Sequence, residues 1–249
     1  MQAPPTTPRA RLRRQKRQRL NKGAASTVQC LNKAPGPTAA FSASEMSLEA
    51  TGFAATGGET LLIACGAIAR ELVALRQQLG AERFAITCLP AIWHNHPQRI
   101  PAAVRAKIEA HQQQYRRIFV AYADCGTGGA LDAVLQDYPG VERLPGAHCY
   151  SFFTGEAAFD ALAAEELGTF YLTDYLARHW ERLVWQGLGL DRAPELREVI
   201  FGHYRRLVYL EQLADARIEA SARAAAKRLG LAYQKVTTGL EPLAQALPR

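Results

Sequence analysis

Thr60-Leu-Leu-Ile-Ala-Cys65-Gly66 is a short apolar run that opens the regularly patterned part of the chain. The residues after it, 67 to 79, carry Ile68, Leu72 and Leu75 at the spacing of one helix face. An apolar run of this length, followed by glycine and then by an amphipathic segment, predicts a buried strand that leads into a helix.

The same alternation continues along the chain. A second apolar run, 84 to 90, leads through a polar loop to a predicted helix over 101 to 115. A third run, 117 to 125, precedes a glycine-rich turn and a predicted helix over 130 to 138, and a weaker strand is expected over 141 to 149. Strands that alternate with helices predict an α/β fold, with an open Rossmann-like parallel sheet flanked by helices.

The second half of the chain is predicted to form a helical C-terminal layer. Long helices are expected over 170 to 186, 194 to 211 and 215 to 229. A last short strand, 232 to 237, is expected to return to the sheet. Residues 59 to 249 are therefore interpreted as a single α/β domain.

Size and composition fit a globular protein without membrane spans. The chain has 249 residues, of which 48% are hydrophobic. Its apolar stretches fall well short of the roughly 18 uninterrupted residues that a transmembrane helix needs. No membrane association is expected.

The positive charge is concentrated at the start of the chain. Residues 1 to 58 hold nine cations and two acids, which accounts for the whole net charge of +7, so residues 59 to 249 sum to zero. The first segment is rich in Pro, Ala, Thr and Ser and has no apolar period, so it is predicted to be a disordered basic leader. Met46 is an alternative start that would remove most of it. The folded body is not expected to bind nucleic acid.

Four cysteines fall where predicted strands end, at Cys65, Cys88, Cys125 and Cys149. They form no CxxC pair and are too sparse for a small disulfide framework, so we expect reduced thiols in the cytoplasm. The carboxyl ends of neighbouring parallel strands share one edge of the sheet, where ligands bind. Each cysteine could instead be an ordinary core residue, and Cys88 fits that alternative best.

Convergence of these thiols would create a site for a soft metal. Zinc, iron and iron–sulfur clusters bind thiolate and imidazole groups, and His148 adjoins Cys149. The hypothesis names Cys65, Cys125, Cys149 and His148 as ligands of an unidentified metal, most simply zinc or iron.

A catalytic interpretation assigns roles to His94 and Cys125. His94 lies in the loop after the second strand and would act as a general base or a further ligand. An alternative without metal pairs Cys125 as a nucleophile with His94 or His148. A third interpretation makes the protein a non-catalytic binding or docking partner.

The turn Gly126-Thr127-Gly128-Gly129 is a candidate anion site. Glycines allow close backbone approach, and the amides at the start of the following helix favour a phosphate or carboxylate group. The turn matches neither the phosphate loop nor the dinucleotide fingerprint. It could also be a tight strand-to-helix turn with no ligand.

Several fragments together resemble the domain of unknown function 1638 family (DUF1638) of bacteria and archaea. They span roughly residues 60 to 240. The fragments are Cys65-Gly66, Leu89-Pro90 with His94-Asn95, Asp124-Cys125-Gly126-Thr127-Gly128-Gly129, Leu144-Pro145-Gly146 with His148-Cys149-Tyr150, and Gly168-Thr169-Phe170-Tyr171-Leu172-Thr173.

The resemblance implies a catalytic or accessory role in corrinoid-dependent methyl-transfer metabolism. It implies a corrinoid protein or a methyltransferase as partner, and a metal-dependent methyl- or thiol-group transferase as the enzyme class. The corrinoid pattern DxHxxG is absent, so a corrinoid is expected only through a partner. Archaeal members place a histidine two positions before the last cysteine, where this chain has Ala147, which makes His148 a less secure ligand than Cys149.

Overall fold

The computed structural model describes residues 58–80 and 82–248. The predicted leader and the alternative start at Met46 lie outside these residues, apart from Gly58. The strands are β1 (Thr60–Cys65), β2 (Ala85–Leu89), β3 (Arg117–Ala121), β4 (Glu142–Arg143), β5 (Thr169–Thr173), β6 (Arg206–Glu211) and β7 (Ala232–Thr237). The α-helices are α1 (Ala69–Leu79), α2 (Ile100–His111), α3 (Ala130–Leu135), α4 (Cys149–Thr154), α5 (Glu156–Glu165), α6 (Asp174–Arg178), α7 (Leu196–Phe201), α8 (Ala216–Leu229) and α9 (Glu241–Ala246).

Four strands form the first sheet in the order β2-β1-β3-β4, and every neighbouring pair is parallel. The central strand β1 is buried from Leu61 to Cys65 because helices cover both faces of such a sheet. Its last residue, Cys65, pairs with Leu89 of β2, and Ala64 pairs with Ala121 of β3. The first two predicted strands are confirmed: the apolar runs 60–66 and 84–90 contain β1 and β2.

A second parallel sheet, in the order β5-β6-β7, lies in the half of the chain that was predicted to be helical. The helices predicted over 170–186 and 194–211 are wrong in part, because β5 occupies the start of the first range and β6 the end of the second. The strand predicted over 232–237 exists as β7, but it pairs with β6 instead of the first sheet. Strands buried on both faces read as continuous apolar runs, which periodicity alone does not separate from buried helix.

The α/β class, with parallel sheets flanked by helices, is confirmed. Elements from the second half also pack against the first sheet. Tyr175 of α6 belongs to the same apolar core as β1, together with Leu240, which precedes α9, and Leu243 within α9. The core around the first sheet therefore includes residues that are distant from it in sequence.

Within the described ranges, none of the helices has the length and apolar character needed to cross a bilayer.

Candidate functional site

Cys65 ends the central strand of the first sheet and starts a short 3-10 turn over Gly66–Ile68. Only 4% of the residue is exposed. The backbone N–H of Ala67 donates to the Cys65 sulfur at 3.2 Å. The Cys65 side chain therefore caps this turn and is held in place at the end of β1.

His94 comes from the loop after β2, where residues Ala91–Asn95 form another short 3-10 turn. Its Nδ1 lies 3.0 Å from the carbonyl oxygen of Ala91. Since a carbonyl can only accept, Nδ1 carries a hydrogen. The Cys65 sulfur lies 3.7 Å from Nδ1 and 3.9 Å from Nε2, so the ring is in contact with the thiol.

Electrostatics favour the protonated form of this histidine. Burial by itself lowers the pKa of His94, but the charge of Cys65, with hydrogen bonding to Cys125 and Cys65, more than offsets burial and raises the pKa well above its usual value. The site therefore favours a positively charged imidazolium ring beside the Cys65 sulfur.

Cys125 reaches the same place through an unusual backbone conformation. Strand β3 ends at Ala121, and Cys125 has a φ of 48°, the left-handed region. This conformation costs a residue with a side chain about 1–2 kcal/mol. Its N–H donates to the carbonyl of Ala147 at 2.9 Å, which fastens the turn to the loop before α4. Cys125 also contributes to the raised pKa of His94, through hydrogen bonding and charge.

The glycine-rich turn is organised around the carboxylate of Asp124. This carboxylate accepts hydrogen bonds from the Thr127 hydroxyl at 2.7 Å, the Gly129 amide at 2.9 Å and the Gly128 amide at 3.1 Å. Burial opposes ionisation, yet these bonds lower the pKa of Asp124. An anion bound here would have to displace Asp124 from both amides. Gly126 has a positive φ as well, which explains the glycines by turn geometry.

Cys149 is the first residue of α4, beyond β4. Burial, followed by the charges of Cys125 and Cys65, raises the pKa of the Cys149 thiol well above its usual value. This thiol is therefore neutral at neutral pH, and the convergence of Cys65, Cys125 and Cys149 on one metal stays a prediction.

His148 is placed differently from the other predicted ligands. Its ring packs against Tyr150 and Phe159, at centroid distances of 5.0 and 4.9 Å. Burial lowers the pKa of His148, and its buried Nδ1 has no hydrogen-bond partner among the described residues. An aromatic cluster holds this imidazole, and no hydrogen bond in the described part of the chain joins it to a cysteine.

Cys88 behaves as a core residue. It is the fourth residue of β2, and 2% of it is exposed. Burial, together with the neighbouring Cys65, raises the pKa of its thiol to about 12. This cysteine is therefore a neutral neighbour of the site.

A comparison with known protein families identifies the family of this chain. The family model described as a protein of unknown function, DUF1638, matches residues 88–247. The chain belongs to the DUF1638 family. The match includes His94, Cys125 and Cys149, whereas Cys65 and β1 precede it. No curated protein and no solved structure matches the chain.

The side chains expected to bind a metal in this DUF1638 protein do not form a metal-binding group in the described part of the chain. Among residues 58–80 and 82–248, no three His, Cys, Asp or Glu side chains are arranged so that they could hold a metal ion. The assignment of Cys65, Cys125, Cys149 and His148 as ligands stays a prediction.

Sequence reasoning missed Tyr122, which adjoins the site. Only 1% of this residue is exposed, and its ring stacks on that of His94 with centroids 6.2 Å apart and planes inclined by 16°. Burial and the charges of Cys65 and Cys125 raise the pKa of Tyr122 well above its usual value. An aromatic residue directly after the apolar run of β3 was the available indication.

Glu71 was missed as well. It lies in the first turn of α1 and is 2% exposed. Burial is the main cause that raises the pKa of Glu71 to about 7, and the charge of Asp174 adds to it. Glu71 also raises the pKa of Cys149, so a buried carboxyl borders the thiols. An acidic residue in the first turn of a helix usually faces solvent, which is why the sequence did not indicate it.

Proposed function

We propose that Cys65, His94 and Cys125 form the functional centre of this DUF1638 protein and that the centre acts as a thiolate–imidazolium site. The observation that carries the proposal is the contact of the His94 ring with the Cys65 sulfur at 3.7 Å, while Ala91 fixes Nδ1 as a donor. The raised pKa of His94 supports a charged ring at neutral pH.

This arrangement suits transfer of a group with an electrophilic carbon. A thiolate attacks such a carbon, the new S–C bond replaces the bond to the leaving group, and the imidazolium can give a proton to that leaving group. Two thiols lie beside His94, so either Cys65 or Cys125 can serve as nucleophile. A methyl- or thiol-group transferase is the enzyme class that fits this chemistry.

The metabolic setting of the proposal is corrinoid-dependent methyl transfer. Its support is the sequence resemblance described above, together with the capacity of a thiolate to accept a methyl group. In this setting the partner is a corrinoid protein or a methyltransferase, and the corrinoid resides on the partner. If the protein binds this partner without catalysing a reaction, the region around Cys65, His94 and Cys125 serves as the docking site.

Metal binding is the second candidate function. It is favoured by the mutual influence of the sulfurs of Cys65, Cys125 and Cys149, since three thiolates suit zinc, iron or an iron–sulfur cluster. One observation does not fit: among the described residues, no three His, Cys, Asp or Glu side chains are arranged so that they could hold a metal ion. The thiolate–imidazolium function is therefore preferred.

One experiment distinguishes these two candidate functions. Protein purified without oxygen would be analysed for metal, and its thiolate ultraviolet absorbance would be measured at neutral pH in the wild type and in Cys65→Ser and Cys125→Ser. We expect no stoichiometric metal and a thiolate signal that at least one substitution abolishes. Cys88→Ser is the matched control, because this thiol is buried nearby and neutral, and it should leave the signal unchanged.

Stoichiometric zinc or iron, lost in the Cys65→Ser or Cys125→Ser variants, would replace the proposal with the metal function. Absence of both metal and thiolate at neutral pH would refute both candidates.

A further inference from the structure

Arg70 is a half-buried cation without a bonded partner. It lies in the first turn of α1, shortly after Cys65 at the end of β1. In the part of the chain that the structure describes, its guanidinium group forms no hydrogen bond, ion pair or ring contact. Each of the other half-buried arginines and lysines in this part has a partner, as Arg76 and Arg143 do. A partly buried charge without a partner costs free energy, which a bound anion would offset.

Two buried carboxyl groups feel the charge of Arg70 without bonding to it. Burial raises the pKa of Glu71 and of Asp174, which are 2% and 1% exposed, and the charge of Arg70 opposes that rise in both. The Asp174 carboxylate is already held by the Tyr209 hydroxyl at 2.7 Å and the Leu213 amide at 2.8 Å. Its oxygens are therefore occupied, and the guanidinium group keeps its hydrogen-bond donors for another acceptor.

The chain between Cys65 and Arg70 is short. A 3-10 turn over Gly66–Ile68 joins β1 to α1, which begins at Ala69. With a rise of about 2 Å per residue in the 3-10 turn and about 1.5 Å in the α-helix, the two Cα atoms are roughly 9 Å apart. Each Cα–Cβ bond of a helix tilts toward its N-terminus, which here is the end nearer Cys65. One small molecule can therefore reach both the sulfur and the guanidinium group.

The surrounding charges favour an anion with a single negative charge. The amides of the glycine-rich turn, which suit a phosphate, are occupied by the Asp124 carboxylate. One guanidinium group near the buried carboxyls of Glu71 and Asp174 balances one negative charge better than two. Guanidinium groups also bind a carboxylate through two parallel hydrogen bonds.

We propose that Arg70 binds a carboxylate group of the molecule on which the thiol site acts. The substrate class is then a small carboxylate whose electrophilic carbon lies a few bonds from the carboxylate group. The assignment of this molecule as substrate rests on the proposed function. The capacity of Arg70 to bind a carboxylate does not depend on that function.

Acetate is the probe for binding. The thermal midpoint of unfolding would be measured in increasing acetate, and in chloride at equal ionic strength, for the wild type, Arg70→Gln and Arg83→Gln. Arg83 is the matched control, because it is exposed and lies before β2, at the other end of α1 from Cys65. A ligand of the folded state raises its stability by mass action, so acetate should raise the midpoint of the wild type and of Arg83→Gln more than that of Arg70→Gln.

An equal effect of acetate on Arg70→Gln and the wild type would overturn the proposal, as would an effect no larger than that of chloride. Arg70→Gln removes no hydrogen bond or ion pair of the described residues, so loss of folding is not expected to obscure the result.

Iodoacetate and iodoacetamide test the link between Arg70 and the thiols. Both alkylate a thiolate, forming an S–C bond and releasing iodide, but only iodoacetate carries a carboxylate. The ratio of their rates at Cys65 and Cys125, followed by peptide mass spectrometry, does not depend on the ionised fraction of the thiol. We expect Arg70→Gln to lower the ratio of iodoacetate to iodoacetamide rates about tenfold, as for a lost hydrogen bond to a charged group. Arg83→Gln should leave the ratio unchanged.

The two failures are distinguishable. If the thiols are alkylated and Arg70→Gln keeps the wild-type ratio, the assignment of a carboxylate substrate is wrong and the proposed function stands. If neither reagent alkylates Cys65 or Cys125, the proposed function fails, and the acetate measurement still decides whether Arg70 binds a carboxylate.

Discussion

Two opposing effects determine the pKa of the His94 imidazole. Burial favours the neutral ring, whereas contact with Cys65 and Cys125 favours the charged ring, and the charged ring prevails. A histidine whose folded-state pKa is raised adds stability that is fully present below its unfolded pKa and is lost as pH rises through the raised value. Protonation of His94 therefore stabilises the folded state, and this contribution to the free energy of unfolding is lost as pH rises through the raised pKa.

Glu71 offers a separate test at the residue scale. Its pKa is raised from 4.5 to about 7 by burial, so between these values the folded state holds a proton that the unfolded state has lost. Stability must then fall as pH rises through this window. Glu71→Gln should remove that decline and stabilise the protein above the window by about 3 kcal/mol. Urea unfolding at pH values below and above this window measures the change in the free energy of unfolding.

Glu82→Gln serves as the control, because Glu82 is exposed and its substitution should leave the pH dependence unchanged. Equal pH profiles for Glu71→Gln and the wild type would contradict the assignment.

The turn between β3 and α3 is the element that presents Cys125. Its shape depends on three hydrogen bonds to Asp124 and on a left-handed Cys125, so the position of the thiol depends on one carboxylate. The sequence predicted a strand, a glycine turn and a helix here, and all three are present. It did not predict that Asp124 would occupy the amides offered to an anion, since hydrogen bonds within a turn leave no periodic pattern.

Asp124→Ala should loosen this turn. Loss of three hydrogen bonds, two of them from backbone amides, is expected to lower the free energy of unfolding by about 2 kcal/mol. Chemical unfolding would measure the change. Asp137→Ala is a suitable comparison, because Asp137 forms an exposed ion pair with Arg105 and should cost less than about 1 kcal/mol. A similar small effect of both substitutions would mean that Asp124 does not hold the turn.

At the scale of the whole molecule, the site lies where the two halves of the chain meet. Glu71 of α1 is influenced by Asp174 of α6, and Tyr175 of α6 packs into the core of the first sheet. The period of the sequence predicted the first sheet, whose strand β1 ends at Cys65. Strands β5 and β6 were not predicted, because a strand buried on both faces lacks the alternation that marks a half-exposed one.

The stacking of the Tyr122 ring on the His94 ring joins segments that are distant in sequence, which one sequence does not encode locally. The contact of His94 with Cys65 has the same origin. Sequence reasoning therefore located the strands of the first sheet, whereas the contact between His94 and Cys65 required coordinates.

The central claim is the charged pair formed by His94 and the thiols. Nitrogen NMR of the histidine rings, slightly above neutral pH, tests it most directly in the wild type and in a Cys65→Ser, Cys125→Ser double variant. We predict that both ring nitrogens of His94 are protonated in the wild type and that the ring becomes neutral in the double variant, because only burial then acts on its pKa. A neutral His94 ring in the wild type at that pH would contradict the account.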